Sequence, residues 1–168
     1  MSKITIREIS KTDGKIEQQF LSSFPETENG FERPGKGFDL STQAGFVKFI
    51  QNRIDLKDGA GLKDGYVPQT TFWILSDNQL AGIAKARHYL NDTLMQHGGH
   101  IGLAISSNFR GQNVGTEALE LLINYVRSLG QDKILITNNE TNLASRKISE
   151  KNGGKLWKIE NGTSYYWI

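Results

Sequence analysis

Hydrophobic and polar positions along the first part of the chain predict one strand followed by two helices. KITIREI, over residues 3–9, alternates imperfectly and predicts the strand. Ser10 is placed to cap a helix that runs to about Phe24, and Ser41 is placed to cap a second helix with an apolar face. Between the two helices, residues 25–40 are rich in proline and glycine, which predicts a long loop.

The middle of the chain changes to runs of β-forming residues. TFWILSD over 71–77 and LAGIAKARHYL over 80–90 are joined by the short polar turn DNQ and predict a hairpin. After a polar connector at 91–99, the apolar run HIGLAIS over 100–106 predicts a further strand.

The last third predicts two helices, one on each side of a buried strand, and then a hairpin. Residues 115–129 carry apolar side chains at helical spacing. KILIT over 133–137 is an almost continuous apolar run, which is typical of a strand buried on both faces. Residues 141–152 predict a polar helix, and an Asn-Gly turn at 161–162 joins the strands of the final hairpin.

The order of elements is strand, two helices, three mainly antiparallel strands, helix, strand, helix and hairpin. This order predicts an α/β (α+β) fold, with a mixed, mostly antiparallel sheet and flanking helices in a single domain over residues 1–168. The segment from 100 to 137 predicts a strand–helix–strand crossover.

Composition narrows the function classes. A net charge of +2 is too small to indicate nucleic acid as a partner, and no run is long enough to cross a membrane. The chain has no cysteine, which excludes disulfides, thiol nucleophiles and cysteine-ligated metals. The three histidines are too scattered to predict a metal site. The N-terminus lacks the apolar core of a signal peptide, so the expected location is the cytoplasm.

The stretch FRGQNVGTEALELL, over 109–122, is the strongest chemical signal. A strand, a short glycine-bearing turn and a helix that starts near Val114 place free backbone amides at the positive end of the helix dipole. Gly111 and Gly115 leave the backbone open and Arg110 adds a charge, so a pyrophosphate site is predicted. The alternative is a tight strand-to-helix turn without a ligand. The stretch fits neither a P-loop nor the dinucleotide fingerprint.

These residues resemble the acyl-CoA pyrophosphate loop of the GNAT acetyltransferases, although Asn113 stands where the family pattern has its first glycine. A second segment, NLASRKISEKNGGKL over 142–156, resembles a later helix of the same family. Within the family, RHYLND, GGHIG, SRKISEKNGG and YYWI resemble a bacterial subgroup of predicted acetyltransferases.

The resemblance implies the GNAT fold, in which two parallel strands splay apart and hold acetyl-CoA as the acyl donor. It assigns those strands to 100–106 and 133–137, with an amide near Leu103 facing the thioester carbonyl. Asn142 would bond the pantetheine arm. The implied donor-binding residues are Leu103, Ala104, Ile105, Arg110, Gly111, Gln112, Asn113, Val114, Gly115, Thr116 and Asn142.

The proton-transfer groups are less well defined. His100 is the best candidate for a catalytic base, because its reference pKa of about 6.5 suits proton transfer at neutral pH. The alternative is a structural histidine that bonds the backbone. Many relatives place a tyrosine acid where this chain has Ser149. Tyr165 and Tyr166 are conceivable substitutes, but they are typical strand aromatics.

The favoured function is N-acetyl transfer from acetyl-CoA to a primary amine of a small molecule or peptide, without a metal, nucleic acid or membrane partner. Ser149 and Asn113 keep open a non-catalytic acyl-CoA-binding or regulatory module, and a homodimer is also left open. An unrelated phosphate-binding enzyme is disfavoured by the missing motifs. Three glutamates in the 25–40 loop suggest an acidic rim that would favour a cationic amine.

Overall fold

The computed structural model describes residues 1–168 and divides the strands between two main sheets and one small hairpin. The strands are β1 (Ile4–Glu8), β2 (Thr27–Glu28), β3 (Phe31–Glu32), β4 (Gln69–Ser76), β5 (Gln79–Arg87), β6 (Ile101–Ile105), β7 (Leu135–Asn139), β8 (Lys155–Glu160) and β9 (Thr163–Trp167). The helices are α1 (Lys15–Ser22), α2 (Gln43–Lys57), α3 (Asp92–Gln96), α4 (Val114–Ser128) and α5 (Leu143–Lys151).

Every ladder in the two main sheets is antiparallel. The first sheet has the order β1-β4-β5-β6 and the second has the order β7-β9-β8. The predicted β4–β5 hairpin closes through Asp77 and Asn78, whose φ angles of 47° and 65° are left-handed. Two consecutive left-handed residues match the twist of the flanking strands, which is why short polar residues occupy this turn.

The two sheets touch at one point, where β6 and β7 begin. The His100 amide donates to the Leu135 carbonyl at 2.8 Å, and the Leu135 amide donates to the His100 ring Nδ1 at 2.9 Å. No ladder joins the strands beyond this contact, although both strands continue along the walls of one cavity. The strands therefore run in the same direction and separate, which confirms the predicted splayed pair.

The first sheet has a hydrophobic layer on each face. On one face α4 buries Ala118, Leu122 and Val126 against β1, β5 and β6. On the other face, the aromatic side chains of α2 and its neighbours pack around Trp73, which is fully buried. Burial on both faces explains why β4 reads as a nearly continuous apolar run.

Both predicted helix caps in the first third are wrong. Asp13 accepts from the Ser10 amide at 2.9 Å, so residues 10–13 form a turn and α1 begins only after Gly14. Thr42, not Ser41, caps α2, because its hydroxyl oxygen accepts from the Gly45 amide at 3.0 Å. In both places a neighbouring side chain competes for the same backbone groups.

Two segments predicted as loops contain regular structure. The connector at 91–99 includes α3, and residues 25–40 include the β2–β3 hairpin. This hairpin turns at Asn29 and Gly30, which have φ angles of 51° and 82°. An Asn-Gly pair is a strong hairpin signal, but flanking strands of two residues are too short to show alternation. The hairpin lies against β6 and lines the gap between the sheets.

Candidate active site

Two cavities open where β6 and β7 separate, each of about 490 Å³. The loop cavity lies between the end of β6, the 109–116 loop and α5, and the strand cavity lies between β6, β7 and the end of β5. The two cavities share wall residues: Asn29, Phe31, Leu103, Asn142, Ser145 and Ile148. They therefore meet at the middle of β6, next to Leu103.

The loop cavity brings together the residues that the sequence assigned to donor binding. All of them line it except Gln112, whose side chain is exposed and donates to the Asn108 carbonyl at 3.0 Å. The backbone amides of residues 111–115 donate no hydrogen bond within the chain. Unpaired amides at the start of a helix attract an anion, so the loop has the polarity that a pyrophosphate requires.

Left-handed backbone makes this loop possible. Gly111 has a φ of 75°, and a side chain there would meet no other atom within 4 Å. Asn113 precedes α4 with a φ of 65°, and its side-chain amide turns to Glu117 at 3.3 Å. Asparagine adopts this conformation more readily than most residues, so it can stand where the family pattern has glycine.

Gly115 lines the loop cavity, as predicted, and it also has a packing role. A Cβ built on Gly115 would lie 2.8 Å from Ile148 Cδ1 and 3.5 Å from Ile105 Cγ1. The glycine therefore allows α4 to pack closely against α5 and β6. A large substitution at this position would disturb the fold as well as any ligand, so it cannot test binding alone.

Arg110 is held by the neighbouring hairpin. Its two terminal nitrogens donate to Glu28 Oε1 and Oε2 at 2.7 and 2.9 Å, and its Nε donates to the Ile105 carbonyl at 3.0 Å. The hydrogen bonds from Arg110 lower the pKa of the Glu28 carboxyl. The β2–β3 hairpin is thus fastened to the loop cavity by an ion pair between two partly exposed side chains.

The backbone of β6 presents its free groups to the gap at alternate residues. Arg87 donates to the His100 carbonyl and Ser106 donates to the Ala81 carbonyl, which fixes the phase of the β5–β6 ladder. In that phase Ala104 bonds to β5, whereas the peptide groups of Leu103 and Ile105 point towards the gap. Leu103 and Ile105, but not Ala104, can therefore offer backbone hydrogen bonds to a ligand.

Asn142 lies at the meeting point of the two cavities. Its side-chain oxygen caps α5 by accepting from the Ser145 amide at 3.2 Å. The residue lines both cavities, so its side-chain nitrogen remains available to a ligand there.

Ser149, the position at which the sequence resemblance implies a tyrosine acid, lines the strand cavity. Its hydroxyl donates to the Ser145 carbonyl at 3.2 Å and accepts from the Asn138 side chain at 3.1 Å. The side chain is buried and too short to cross the cavity. The geometry agrees with the expectation that Ser149 is a poor substitute for a phenol.

His100 lies outside both cavities. It is 1% exposed, and its Nδ1 accepts from the Leu135 amide, which leaves Nε2 to carry the proton beside Gln131 Oε1 at 3.3 Å. Burial, the largest cause, lowers the pKa of His100, so the ring is neutral at pH 7. Of the two alternatives drawn from the sequence, the geometry favours the structural one.

Other candidate acids and bases are also engaged elsewhere. The Tyr165 hydroxyl donates to the Gln96 carbonyl at 2.6 Å, and the Tyr166 hydroxyl donates to Glu150 at 2.8 Å. His88 bonds the Thr70 hydroxyl at 2.8 Å, away from the cavities. His97 is the exception, because it is exposed and lines the strand cavity; it is the one histidine that does so.

Two cations of the strand cavity were not singled out from the sequence. Lys85 and Arg87 lie on the same face of β5, which is an interior strand of the first sheet. The sequence did contain a signal for them, because lysine and arginine are rarely buried on an interior strand unless they bind a partner. Burial, followed by repulsion from Arg87 and Arg53, lowers the pKa of Lys85 to about 8.

The acidic rim expected from the glutamates of residues 25–40 is largely offset by basic side chains. Glu28 is neutralised by Arg110 and Glu32 by Lys36, at 2.7 and 2.9 Å. Glu32 lines the strand cavity together with Lys85 and Arg87, so two cations face one carboxylate there and the charge of the cavity does not favour a cationic acceptor. No group of three or more His, Asp or Glu residues is arranged to hold a metal ion. None of the helices combines the length and apolarity needed to cross a bilayer.

A cleft between splayed strands, with unpaired amides at a helix start beside it, is the arrangement expected of an acyl-CoA-dependent acetyltransferase. The chain belongs to the GNAT acetyltransferase family, since the family model described as an acetyltransferase (GNAT) domain matches residues 3–155. No curated protein sequence matches the chain.

Solved structures with this fold are distant in sequence. The N-acetyltransferase PseH of Campylobacter jejuni, in complex with acetyl coenzyme A, is 15% identical with a TM-score of 0.62, and the match covers 99% of this chain and 98% of that one. The ribosomal L7/L12 alpha-N-protein acetyltransferase RimL, in complex with coenzyme A, is 17% identical with a TM-score of 0.65, covering 98% and 93%. The putative acetyltransferase yncA of Salmonella typhimurium, with acetyl-CoA, is 13% identical with a TM-score of 0.60, covering 98% and 92%.

The family and fold predictions are confirmed, as is the class of enzyme, an acetyltransferase that uses acetyl-CoA as its donor. The bacterial subgroup, the single-domain boundaries, the cytoplasmic location and the roles of individual residues remain predictions.

Proposed function

We propose that this protein transfers an acetyl group from acetyl-CoA to a primary amine of a small molecule or peptide. The observation that carries the proposal is the meeting of two cavities at Leu103, one with free amides suited to a pyrophosphate and the other lined by polar side chains. Such an arrangement lets a donor and an acceptor approach one point from two sides. PseH is an N-acetyltransferase and RimL is an alpha-N-protein acetyltransferase, which supports an amine acceptor.

On the donor side, amides 111–115 would bind the pyrophosphate, and Asn142 would bond the pantetheine arm. The Leu103 amide points into the gap and would donate to the thioester carbonyl oxygen. That hydrogen bond strengthens as the oxygen gains negative charge, so it stabilises the tetrahedral intermediate.

On the acceptor side, the amine must lose a proton before or during attack on the carbonyl carbon. His100 is turned away from the cavities, so we propose that water in the strand cavity takes this proton. The departing thiolate would take a proton from solvent or from the attacking amine, because no phenol faces the gap and Ser149 is a weak acid.

The test is steady-state release of free CoA thiol with a panel of primary amines, combined with an isosteric change at the loop. Asn113→Asp keeps the left-handed conformation but puts a carboxylate beside the amides that would bind pyrophosphate. We expect the KM for acetyl-CoA to rise about tenfold or more, since the added carboxylate repels the pyrophosphate and weakens its charge-assisted hydrogen bonds to the amides. The stabilisation by acetyl-CoA against heat should shrink correspondingly.

Asn78→Asp is the matched control, because Asn78 has the same φ of 65° but lies in the β4–β5 turn outside both cavities. The proposal fails if no amine supports thiol release. A thermal shift with acetyl-CoA but no turnover with any amine would favour the binding module instead.

A further inference from the structure

The strand cavity is bordered by positive side chains that form no ion pair within the chain, and the one carboxylate that lines it, Glu32, is paired with Lys36. Lys85 and Arg87 line it, and Arg53 of α2 lies close enough to affect the charge on Lys85. We propose that the acceptor amine carries an anionic group, a carboxylate or a phosphate, which binds Lys85 with Arg87 and Arg53 behind it. This inference rests on the proposed function and specifies its substrate class.

Lys85 is placed by the sheet to face this cavity. It lies on the side of β5 that faces α2 and is paired with Gly102 of β6. A Cβ on Gly102 would lie only 3.3 Å from Lys85 Cε, so the glycine gives the lysine stem room to cross β6. The ammonium group makes no hydrogen bond or ion pair within the chain.

Arg53 and Arg87 add positive charge beside Lys85, and neither forms an ion pair within the chain. Arg53 stacks over the Phe49 ring at 5.1 Å, and its buried Nε has no hydrogen-bond partner. The Arg87 side chain donates only to the carbonyls of Gly98 and Gly99, at 3.0 and 2.9 Å. The acid that acts on Lys85, Glu32, is paired with Lys36 at 2.9 Å.

Like charges that are partly buried together destabilise a fold unless an anion joins them. The backbone contacts of Arg87 are also compatible with a structural role in holding the turn at 98–99. The Lys85 side chain makes no comparable contact, so a substitution of Lys85 can distinguish a binding role from a structural one. If Lys85 serves a ligand, its replacement by an apolar residue should weaken binding without lowering stability.

The position of Lys85 also limits the distance between amine and anion. Gly102 immediately precedes Leu103, and adjacent strands lie about 4.8 Å apart. The anion would therefore bind close to the carbonyl that the amine attacks. Short amines are the natural probes, and a carboxylate and a phosphate can be compared directly.

The first experiment compares acceptors in matched pairs by CoA thiol release, at equal concentrations of neutral amine. β-Alanine is paired with β-alaninamide, and O-phosphoethanolamine with ethanolamine. We expect kcat/KM to be about tenfold or more higher for the anionic member, and Lys85→Met to reduce this preference to roughly threefold or less. Lys48→Met, which changes an exposed lysine of α2, should leave the preference intact. The carboxylate and phosphate pairs show which anion is preferred.

The second experiment measures binding without turnover. With CoA present in excess to occupy the loop cavity, glutarate and inorganic phosphate are titrated separately while the melting temperature is recorded. A saturable rise is expected in the parent chain and in Lys48→Met, and not in Lys85→Met, which should itself melt no lower than the parent.

Equal or better turnover of the neutral amines would overturn the inference. It would also be overturned by anion binding that survives Lys85→Met, or by the absence of saturable anion binding. Failure of the proposed function is distinct, because it would appear as no thiol release with any amine while the anion titration still gives its own answer.

Discussion

At the scale of single residues, burial decides which titratable groups can do chemistry. His100 looks catalytic in the sequence because it opens the strand next to the thioester position. In the structure its ring joins the two sheets through the Leu135 amide. The titratable side chains that line the strand cavity are instead Glu32, Lys85, Arg87 and His97. The identity of a residue states what chemistry it can perform, whereas its position decides whether that chemistry reaches a substrate.

His100→Ala should lower the free energy of unfolding by roughly 1–3 kcal/mol, because the buried Leu135 amide loses its acceptor. For a chain of this size, that corresponds to about 2–4 °C in melting temperature for each kcal/mol. His100→Asn should recover most of the loss, since its side-chain oxygen can accept near the Nδ1 position. Thermal unfolding of the three proteins measures this difference.

The same contact has a pH dependence. The pKa of His100 is lowered in the folded state, so its stabilisation is complete above the unfolded pKa of about 6.5 and declines as the pH falls below it. The stability gap between the parent and His100→Asn should therefore narrow on acidification. If His100→Asn keeps its stability but loses the acidic limb of the pH–rate profile, His100 is the base after all.

Ser149→Ala should change turnover by less than about tenfold, which is below the usual effect of losing a working acid or base. The hydroxyl is committed to Ser145 and Asn138, and solvent in the cavity can replace the second of these contacts. Steady-state kinetics with acetyl-CoA and the best amine provide the measurement. A loss of several hundredfold with unchanged donor binding would show that Ser149 takes part in proton transfer.

At the scale of elements, the β2–β3 hairpin is the part of the site that sequence analysis missed. It places Asn29 and Phe31 in the wall between the two cavities and Glu28 against Arg110. The Glu28 carboxylate forms an ion pair with the Arg110 guanidinium, which would otherwise be free to bind the phosphates of the donor. Donor binding should therefore compete with this ion pair.

Glu28→Gln should tighten acetyl-CoA binding by about two- to fivefold, because a partly exposed ion pair contributes no more than about 1 kcal/mol. Isothermal titration calorimetry can measure the change. Glu26→Gln is the control, since Glu26 is exposed on the same segment and pairs with no cation through its side chain. Weaker binding in Glu28→Gln would mean that the hairpin helps to hold the donor.

At the scale of the whole molecule, the site exists because two sheets share only one narrow junction. The bonds between His100 and Leu135 hold β6 and β7 together at their start, and the strands then separate. The gap leaves one edge of β6 without a strand partner, which is the edge a pantetheine chain could occupy. Neither sheet alone contains both cavities.

The sequence by itself determined the order of the elements apart from α3 and the β2–β3 hairpin, the β4–β5 and β8–β9 hairpins and the loop before α4. These features depend on local periodicity, on short polar turns and on glycine or asparagine at left-handed positions, all of which neighbouring residues specify. The sequence also carried the family, because the loop and the α5 segment are contiguous motifs. Helix starts were predicted less well. Asp13 accepts hydrogen bonds from the Ser10 amide and from the side chains of Arg7 and Trp73, which holds residues 10–13 in a turn before α1 begins.

Only the tertiary structure decided what faces the cleft. The phase of the β5–β6 ladder turns the Leu103 peptide towards the gap and that of Ala104 away from it, and a shift of one residue would exchange them. The structural place of His100, the packing role of Gly115 and the cluster of Lys85, Arg87 and Arg53 all depend on residues distant in the chain. Local patterns specify the elements, but burial and charge at a site are sums over neighbours that only the folded chain brings together.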